Sequence, residues 1–239
     1  MLSIDPDGYK LSALFLIGAV VLWAMYFVMR WPVFSWTALV FVLLTAFSLY
    51  FFRDPERTPP ENQGAVSAAD GVVVDIATVD AEGFEGGKAL RIAVFMNVFN
   101  VHVNRIPVAG TVIRTNHSPG KKLSAFNRRA EQENEHADTD IDVETGFKPV
   151  STSHRLVRVR QIAGLIARRV VTRVKVGESL DRGDRIGLIR FGSRVDVFFP
   201  ESYKPAVTKG ERVRAGISII ARPADTTDSK IKQNTAKGS

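Results

Sequence analysis

Ser193 is the residue whose setting in this sequence most favours chemistry, because it interrupts a strand pattern. It follows Gly192 inside residues 185–199, a run otherwise rich in β-branched and apolar residues. A Gly-Ser pair usually marks a turn, whereas a glycine within a strand pattern indicates a bulge or a close backbone approach. A serine hydroxyl at such a bend can act as a nucleophile when a base assists it. The pattern therefore has two interpretations, a turn serine and a reactive serine.

Two further residues could assist a nucleophilic Ser193. His102 lies between two valines in a β-type run, a setting that suits either a packed histidine or a general base. Asp70 precedes a glycine, which usually indicates a turn, but its carboxylate could also orient a histidine as in a serine-based triad. From residue types alone, the three side chains fit either ordinary strand and turn positions or a catalytic set.

The composition limits the chemistry that the chain can perform. None of the 239 residues is cysteine, which excludes disulfides, thiolate catalysis and cysteine-based zinc sites. The four histidines are not spaced with carboxylates as metal ligands are, so we expect no metal. The net charge of +7 suits an anionic partner. We see no zinc-finger, RRM or KH pattern, so we expect anionic lipid rather than nucleic acid.

Two uncharged apolar stretches predict a transmembrane helical hairpin, assigned to residues 11–52 after an N-terminal segment of residues 1–10. As a helix, the first stretch would be roughly 28 Å long, close to the hydrocarbon thickness of a bilayer. The second stretch follows Arg30, which we place at the turn. A cleaved signal peptide and a shallow re-entrant hairpin are the alternatives.

Basic residues flank this hairpin unevenly. Lys10, Arg53 and Arg57 lie beyond its outer ends, against Arg30 alone at its turn. Because positive charge collects on the cytoplasmic side of membranes, both termini are expected in the cytoplasm. We predict a protein of the cell (inner) membrane whose catalytic domain is cytoplasmic.

The remaining chain divides by composition into three parts. Residues 53–63 are rich in proline, which predicts an extended linker. Residues 64–221 alternate β-branched runs with glycine turns, which predicts a β-rich domain. Residues 222–239 are polar, and we expect a disordered tail.

The β-rich part is predicted to contain one short helix and one flap. Ile162, Leu165 and Ile166 have helical spacing within residues 161–169. Residues 119–140 are polar and charged, which predicts a loop or mobile flap.

Two sequence features bear on the fold class. Residues 210–216 (Gly-Glu-Arg-Val-Arg-Ala-Gly) are typical of turns in barrel-sandwich folds, and residues 91–103 echo residues 185–197. A duplication is one interpretation of that echo. The predicted fold class is mainly β and barrel-sandwich-like, with few short helices outside the hairpin.

Five segments form a set that is specific to one family. They are residues 52–57 (Phe-Arg-Asp-Pro-Glu-Arg), 70–72 (Asp-Gly-Val), 96–111 (Met-Asn-Val-Phe-Asn-Val-His-Val-Asn-Arg-Ile-Pro-Val-Ala-Gly-Thr), 161–169 (Gln-Ile-Ala-Gly-Leu-Ile-Ala-Arg-Arg) and 187–197 (Gly-Leu-Ile-Arg-Phe-Gly-Ser-Arg-Val-Asp-Val). Together and in this order they resemble segments of the short branch of the phosphatidylserine decarboxylases. The resemblance runs from about residue 11 to residue 221.

The resemblance implies a carboxy-lyase that is made as a proenzyme. The chain would cut itself between Gly192 and Ser193 into a β chain of residues 1–192 and an α chain of residues 193–239. Ser193 would become a pyruvoyl group, the catalytic cofactor, which forms a Schiff base with the substrate amine. The implied reaction converts phosphatidylserine to phosphatidylethanolamine and carbon dioxide, with His102 and Asp70 as the other catalytic residues.

One position departs from the longer branch of that family. There, two histidines share cleavage and decarboxylation, whereas this chain has His102 and, at the second place, Arg105. Either His102 serves both steps or His117 takes one of them. His117 and Arg105 are also the candidates for binding the substrate.

Two other functions fit the residues without the resemblance. One is a membrane-tethered barrel-sandwich binding module in which Ser193 is an ordinary serine. The other is a membrane-anchored serine hydrolase that uses Ser193 with His102 and Asp70. The expected partners are phosphatidylserine in the membrane, the chain's own two fragments and, as one alternative, a second copy in a homodimer.

Overall fold

A computed structural model describes residues 2–61, 64–121, 133–143, 155–164, 169–190 and 193–224. The chain forms two compact units. The first comprises Met1–Glu56 and Val98–Val103, and the second comprises Arg57–Asn97 and Asn104–Ser239. The first unit contains two long helices, and the second unit is built almost entirely of strands.

The first unit is a hairpin of two helices, α1 (Pro6–Met29) and α2 (Pro32–Phe51). Asp5 caps α1, and a proline stands at the start of each helix, where no intrahelical hydrogen bond is lost. Arg30 ends α1 in the left-handed conformation and so forms the turn. The predicted helical hairpin is confirmed, although α1 begins at Pro6 rather than at residue 11.

Both helices are long and apolar enough to cross a membrane. Their 24 and 20 residues give lengths of about 36 Å and 30 Å, which match the hydrocarbon core of a bilayer. Large apolar side chains are exposed along both helices. On α1 they include Leu14, Ile17, Val20 and Trp23, and on α2 Trp36, Leu39, Val40 and Leu43.

Short segments complete the first unit. Strand β1 (Leu2–Ile4) pairs antiparallel with β2 (Arg53–Pro55), so the region predicted as a linker begins with a strand. The carbonyl oxygen of Phe99, in the Val98–Val103 segment, accepts a hydrogen bond from Arg53 Nη2 at 2.6 Å. This segment is thereby fastened to the residues that follow α2.

An eight-stranded antiparallel sheet forms the body of the second unit. Its strands are, in spatial order, β11 (Ser179–Leu180), β7 (Gly110–Ser118), β8 (His136–Val143), β9 (Leu156–Ala163), β13 (Ser193–Phe199), β5 (Lys88–Met96), β4 (Gly71–Asp80) and β15 (Arg212–Val213). Strand β13 is central, because β9 and β5 pair with its two edges.

Two three-stranded sheets accompany the large one. The first has the order β10 (Val170–Thr172), β12 (Arg185–Ile189), β6 (Val103–Arg105). The second has the order β14 (Tyr203–Pro205), β16 (Ile219–Pro223), β3 (Ala65–Val66). A 3₁₀ turn at Glu85–Gly87 precedes β5. The predicted mainly β fold class is confirmed.

Alternation along the strands separates two faces of the large sheet. In β13, Val195, Val197 and Phe199 belong to the main apolar core, while Arg194 and Asp196 point to the opposite face. The main core also receives residues of β5, β8 and β9. Burial of these branched side chains holds the sheet against the smaller sheets.

The face opposite the core carries paired charges. Asp140 accepts from Arg158 Nε at 2.6 Å and from Arg114 Nε at 2.9 Å, and the Asp140 and Arg158 side chains are buried. Further pairs on this face are Asp138 with Arg160, Asp142 with Arg155 and Asp196 with Arg194. The buried carboxylates among them, Asp138, Asp140 and Asp196, are tolerated because each has a guanidinium partner.

Two local predictions are wrong within the described residues. Residues 161–163, predicted as the start of a helix, end strand β9, and residues 165–168 lie outside the described part. Residues 136–140, predicted as part of a flap, begin strand β8, and residues 122–132 lie outside it. Both segments alternate between two sheet faces, and the charged residues of β8 are paired rather than solvated.

Two other predictions are only partly covered. In the predicted disordered tail, Arg222 and Pro223 belong to β16, and residues 225–239 lie outside the described part. The two echoing segments begin in different sheets, since Arg91 lies in β5 and Arg185 in β12. The duplication stays a prediction.

Candidate active site

Ser193 is the first residue of the central strand β13 and is fully buried. It lies opposite Ala163 of β9 on one side and Met96 of β5 on the other. Gly192, the other half of the predicted cleavage site, lies outside the described residues. A serine at this position is packed from both neighbouring strands.

The Ser193 hydroxyl lies beside a sulfur atom. Its Oγ donates to Met96 Sδ at 3.4 Å, and Asn104 Nδ2 donates to the same sulfur at 3.6 Å. A thioether is a weak acceptor, so this contact orients the hydroxyl without drawing its proton away. The described contacts of the hydroxyl therefore position it but do not activate it.

A chain of hydrogen bonds continues from Asn104 through the interior. Gln161 Nε2 donates to Asn104 Oδ1 at 2.8 Å, and the Thr172 hydroxyl donates to Gln161 Oε1 at 3.0 Å. Asn104 and Gln161 are both fully buried. Sequence reasoning missed these residues. The available signal was Gln161, a polar residue at an inward position of β9 between Val159 and Ala163.

Asp70 and Ser193 lie at the same end of the large sheet, where strands β4 and β13 begin. It immediately precedes β4, whose Val72 lies opposite Phe95 of β5, while Ser193 lies opposite Met96. Strands β4 and β13 flank β5, and a strand spacing of about 4.8 Å places them roughly 10 Å apart. Asp70 and Ser193 are thus brought to one edge.

The Asp70 carboxylate is held by an arginine. Its Oδ1 accepts from Arg57 Nη1 at 2.5 Å and from the Ala215 N–H at 2.8 Å, and its Oδ2 accepts from Arg57 Nη2 at 2.9 Å. Both partners of this bidentate pair are buried. Arg57 lies in the stretch predicted as a linker, and sequence reasoning gave it no role in the site.

His102 belongs to the first unit, in the segment Val98–Val103. Its ring is buried and packs on Phe51 with a centroid distance of 4.1 Å. Its Nδ1 lies 2.9 Å from the carbonyl oxygen of Asn100. A carbonyl oxygen can only accept, so Nδ1 carries the proton and Nε2 is the basic nitrogen of the neutral ring.

The two predicted substrate-binding residues differ in exposure. His117 is exposed at the end of β7, and its Nε2 lies 3.0 Å from Glu135 Oε1. Arg105 is buried and donates from Nη1 to the carbonyl oxygen of Gly183 at 2.8 Å. Of the two, only His117 presents its side chain to the surroundings.

His117 is connected to the Ser193 edge of the sheet through Glu135. The Glu135 carbonyl oxygen accepts from the N–H of Ala163, the residue opposite Ser193.

No group of three or more histidine, aspartate or glutamate side chains in the described residues could hold a metal ion.

Comparisons with known proteins agree on one family. The family model described as phosphatidylserine decarboxylase matches residues 44–221. The phosphatidylserine decarboxylase proenzyme of Oleidesulfovibrio alaskensis is 45% identical over 225 residues, covering 92% of this chain and 94% of that protein. The proenzyme of the same name from Nitratidesulfovibrio vulgaris is 48% identical over 186 residues, covering 77% and 82%. That of Ralstonia nicotianae is 43% identical over 220 residues, covering 91% and 94%.

Proposed function

The chain belongs to the phosphatidylserine decarboxylase family, and from this premise we propose that it makes its own catalytic group from Ser193. The chain is an enzyme that decarboxylates phosphatidylserine, giving phosphatidylethanolamine and carbon dioxide. The proenzyme splits between Gly192 and Ser193, and a pyruvoyl group remains on the new amino end. The observation that carries this proposal is the position of Ser193, buried at the start of a central strand and bonded only to uncharged groups among the described residues.

The surroundings of Ser193 fit a pyruvoyl group. The group is uncharged and about the size of a serine side chain, so it needs a packed site without a facing carboxylate or ammonium. Met96 supplies such a contact, and the second group that donates to its sulfur, Asn104, is a neutral amide. When present, the pyruvoyl group supplies an electron-withdrawing carbonyl that takes up the electron pair released with carbon dioxide.

Cleavage is carried out by groups of the chain itself. Ser193 Oγ attacks the Gly192 carbonyl carbon, the peptide C–N bond breaks, and an ester links the two residues. A base then removes the Ser193 Cα proton, and the Gly192 carboxylate leaves from Cβ. Water hydrolyses the resulting enamine, in its imine form, to the keto group and releases ammonia.

His102 acts as the base in these steps and as the proton donor in decarboxylation. The hydrogen bond from its Nδ1 to Asn100 supports this assignment, because it leaves Nε2 as the basic nitrogen. His117 is the alternative for one of the two steps, and it also binds the substrate headgroup, a role that its exposure supports.

Asp70 supports the site through its fixed carboxylate. Its bonds to Arg57 and to Ala215 hold the start of β4 at the edge where Ser193 lies. For Arg105, the bond to the Gly183 carbonyl oxygen supports a role in holding that turn.

The hairpin anchors the enzyme in the inner membrane, with the catalytic domain on the cytoplasmic side. The length and apolar surface of α1 and α2 support anchoring, and the basic residues beyond their outer ends support the orientation. Phosphatidylserine then remains in the bilayer while its headgroup is processed.

A denaturing gel of the wild-type chain and Ser193→Ala, both made in membranes, tests the proposal. The wild type is expected to give fragments of 192 and 47 residues (193 to 239), and Ser193→Ala one chain that releases no carbon dioxide. Ser48→Ala, which removes another buried serine hydroxyl, is the control and should process normally. A Ser193→Ala chain that still splits, or that decarboxylates the lipid unsplit, would overturn the proposal.

A further inference from the structure

The hydrogen-bonded chain that ends at Ser193 connects two sheets. Met96, Gln161 and Ser193 belong to the eight-stranded sheet, and Asn104 and Thr172 to the three-stranded sheet of β10, β12 and β6. We propose that Thr172, Gln161 and Asn104, here called the amide relay, are positioning residues that set the geometry of the Ser193 hydroxyl for its attack. This inference rests on the self-cleavage described under the proposed function.

The relay has a single consistent direction. The Met96 sulfur can accept but not donate, so Asn104 turns its N–H group toward it. Asn104 Oδ1 then accepts from Gln161 Nε2, and Gln161 Oε1 accepts from the Thr172 hydroxyl. If the Asn104 amide were flipped, its NH2 group would face the NH2 group of Gln161. If the Gln161 amide were flipped, its oxygen would face the oxygen of Asn104. The Thr172 hydroxyl therefore helps to fix an amide group that shares the Met96 sulfur with the Ser193 hydroxyl.

The relay occupies positions where strand alternation would ordinarily place apolar side chains. Gln161 shares its face of β9 with Val157 and Val159, which belong to the apolar core. Burying two neutral amides there is unfavourable unless every group is paired, and apolar residues would fill the same space more simply. Their connection to the Ser193 hydroxyl through Met96 points to a role in orientation rather than in stability.

The sulfur at the end of the relay suits a hydroxyl that must move. A hydrogen bond from a hydroxyl to a thioether sulfur is weaker than one to a carboxylate oxygen. Little hydrogen-bond energy is therefore lost when the Ser193 Oγ leaves Met96 to attack Gly192. Asn104 still donates to the sulfur after Oγ has left. The hydroxyl is thus held in one place without being committed to a strong partner.

A matched pair of threonine variants tests the relay. Thr172→Val removes the hydroxyl that bonds Gln161, while Thr139→Val removes a buried hydroxyl that has no partner among the described residues. In a pulse–chase of the full chain in membranes, Thr172→Val should slow cleavage roughly five- to tenfold, the equivalent of one lost hydrogen bond. Thr139→Val should cleave at the wild-type rate, and Thr172→Ser should restore cleavage.

Hydroxylamine separates positioning of the attack from the later steps, because it cuts an ester but leaves an amide intact. Asn104→Asp keeps the size of the side chain and replaces the N–H donor that faces Met96 by an oxygen. Its precursor should accumulate as the amide, so hydroxylamine should not split it. Among the uncleaved forms, each carrying Ser193→Ala, Thr172→Val should melt lower than Thr139→Val because it leaves Gln161 Oε1 buried without its donor, and Thr172→Ser should restore the melting temperature together with the cleavage rate.

Three results would overturn the relay. Thr172→Val could cleave as fast as the wild type, its slowing could be matched by a lower melting temperature that Thr172→Ser does not restore, or Asn104→Asp could accumulate an ester. In each case the wild type still splits, so self-cleavage stands and only the relay fails. A wild-type chain that never splits would remove both.

Discussion

The two units of the chain bury opposite kinds of residue. In α1 the buried positions include Ser12 and Ala19, whereas Leu14 and Trp23 are more than half exposed. In the second unit, branched apolar side chains such as Ile92 fill the core of the sheets. A surface of leucine and tryptophan is favourable against hydrocarbon and unfavourable against water. The difference indicates that the hairpin and the sheets are built for different solvents.

Charge follows the same division. No charged residue stands between Lys10 and Arg30 in the hairpin, nor between Arg30 and Arg53. The second unit buries the carboxylate of Asp140, which is bonded by two arginines. In the sheet, a side chain of opposite charge replaces the water that a buried charge loses. The apolar stretches of the two helices carry no charged side chains that could form such pairs.

The largest effect is expected from breaking a buried pair in the second unit. Asp140→Ala leaves the buried Arg158 without its main partner and should lower the free energy of unfolding by about 3–5 kcal/mol. Asp75→Ala, at the part-exposed pair with Arg91, should cost about 0–1 kcal/mol. Denaturant titrations of both variants in detergent give the comparison. Equal losses would show that the charged face is not as dry as its burial indicates.

The same substitution should weaken membrane binding in the first unit and leave it unchanged in the second. Ile17 lies midway along α1 and Ile113 on β7, and both side chains are more than half exposed. Ile17→Arg should weaken membrane insertion by roughly 3 kcal/mol, because arginine is poorly tolerated at the centre of a spanning helix. Ile113→Arg should leave the membrane-bound fraction unchanged in a flotation assay. If both variants float alike, the helices do not reside in hydrocarbon.

Glycine-to-alanine substitutions should also affect the stability of the two units differently. A Cβ at Gly71 would overlap the backbone carbonyl of Phe95 in β5, which cannot move without disturbing the sheet. Gly71→Ala should therefore destabilise by about 1–3 kcal/mol and slow cleavage at the nearby edge. A Cβ at Gly18 meets only the side chain of Phe41, which can turn away, and alanine favours the helix. Melting curves that rank Gly18→Ala below Gly71→Ala would contradict this.

The smallest effect concerns pH. Burial raises the pKa of the Tyr203 phenol, whose ring stacks on Phe199. The folded-state pKa of Tyr203 lies above its unfolded value. The contribution of the neutral phenol to the free energy of unfolding is therefore fully present below pH about 10 and is lost as pH rises through the folded-state pKa. Phenolate absorbance of the wild type minus that of Tyr203→Phe should show this late titration. A difference curve with its midpoint near pH 10, the ordinary pKa of tyrosine, would contradict the raised pKa of Tyr203.

The hairpin was predictable because it depends on a long uniform pattern. Between Lys10 and Arg53, Arg30 is the only charged residue, and it forms the turn that its position indicates. The helix predicted over residues 161–169 was wrong for residues 161–163, which end strand β9, because Ile162 fits both periodicities. The decisive partners of Gln161, namely Asn104 and Thr172, are distant in sequence.

The candidate site was only partly predictable. Ser193 stood out by its motif, and its burial follows from the branched residues after it. The bidentate bond of Arg57 to Asp70 could not be predicted, since prolines around Arg57 indicated a linker. Likewise, the charges at residues 136–140 indicated a flap, because their arginine partners lie on a different strand. Local patterns identify elements, whereas pairs across strands decide which polar residues are buried.

The most direct test is the intact mass of the wild-type protein purified from membranes and denatured. Two chains are expected, and the smaller, residues 193–239, should be lighter by one molecule of ammonia than the same peptide beginning with serine. Its amino end should resist Edman degradation and react with a carbonyl reagent. A single continuous chain of 239 residues that still releases carbon dioxide from phosphatidylserine would contradict self-cleavage at Ser193.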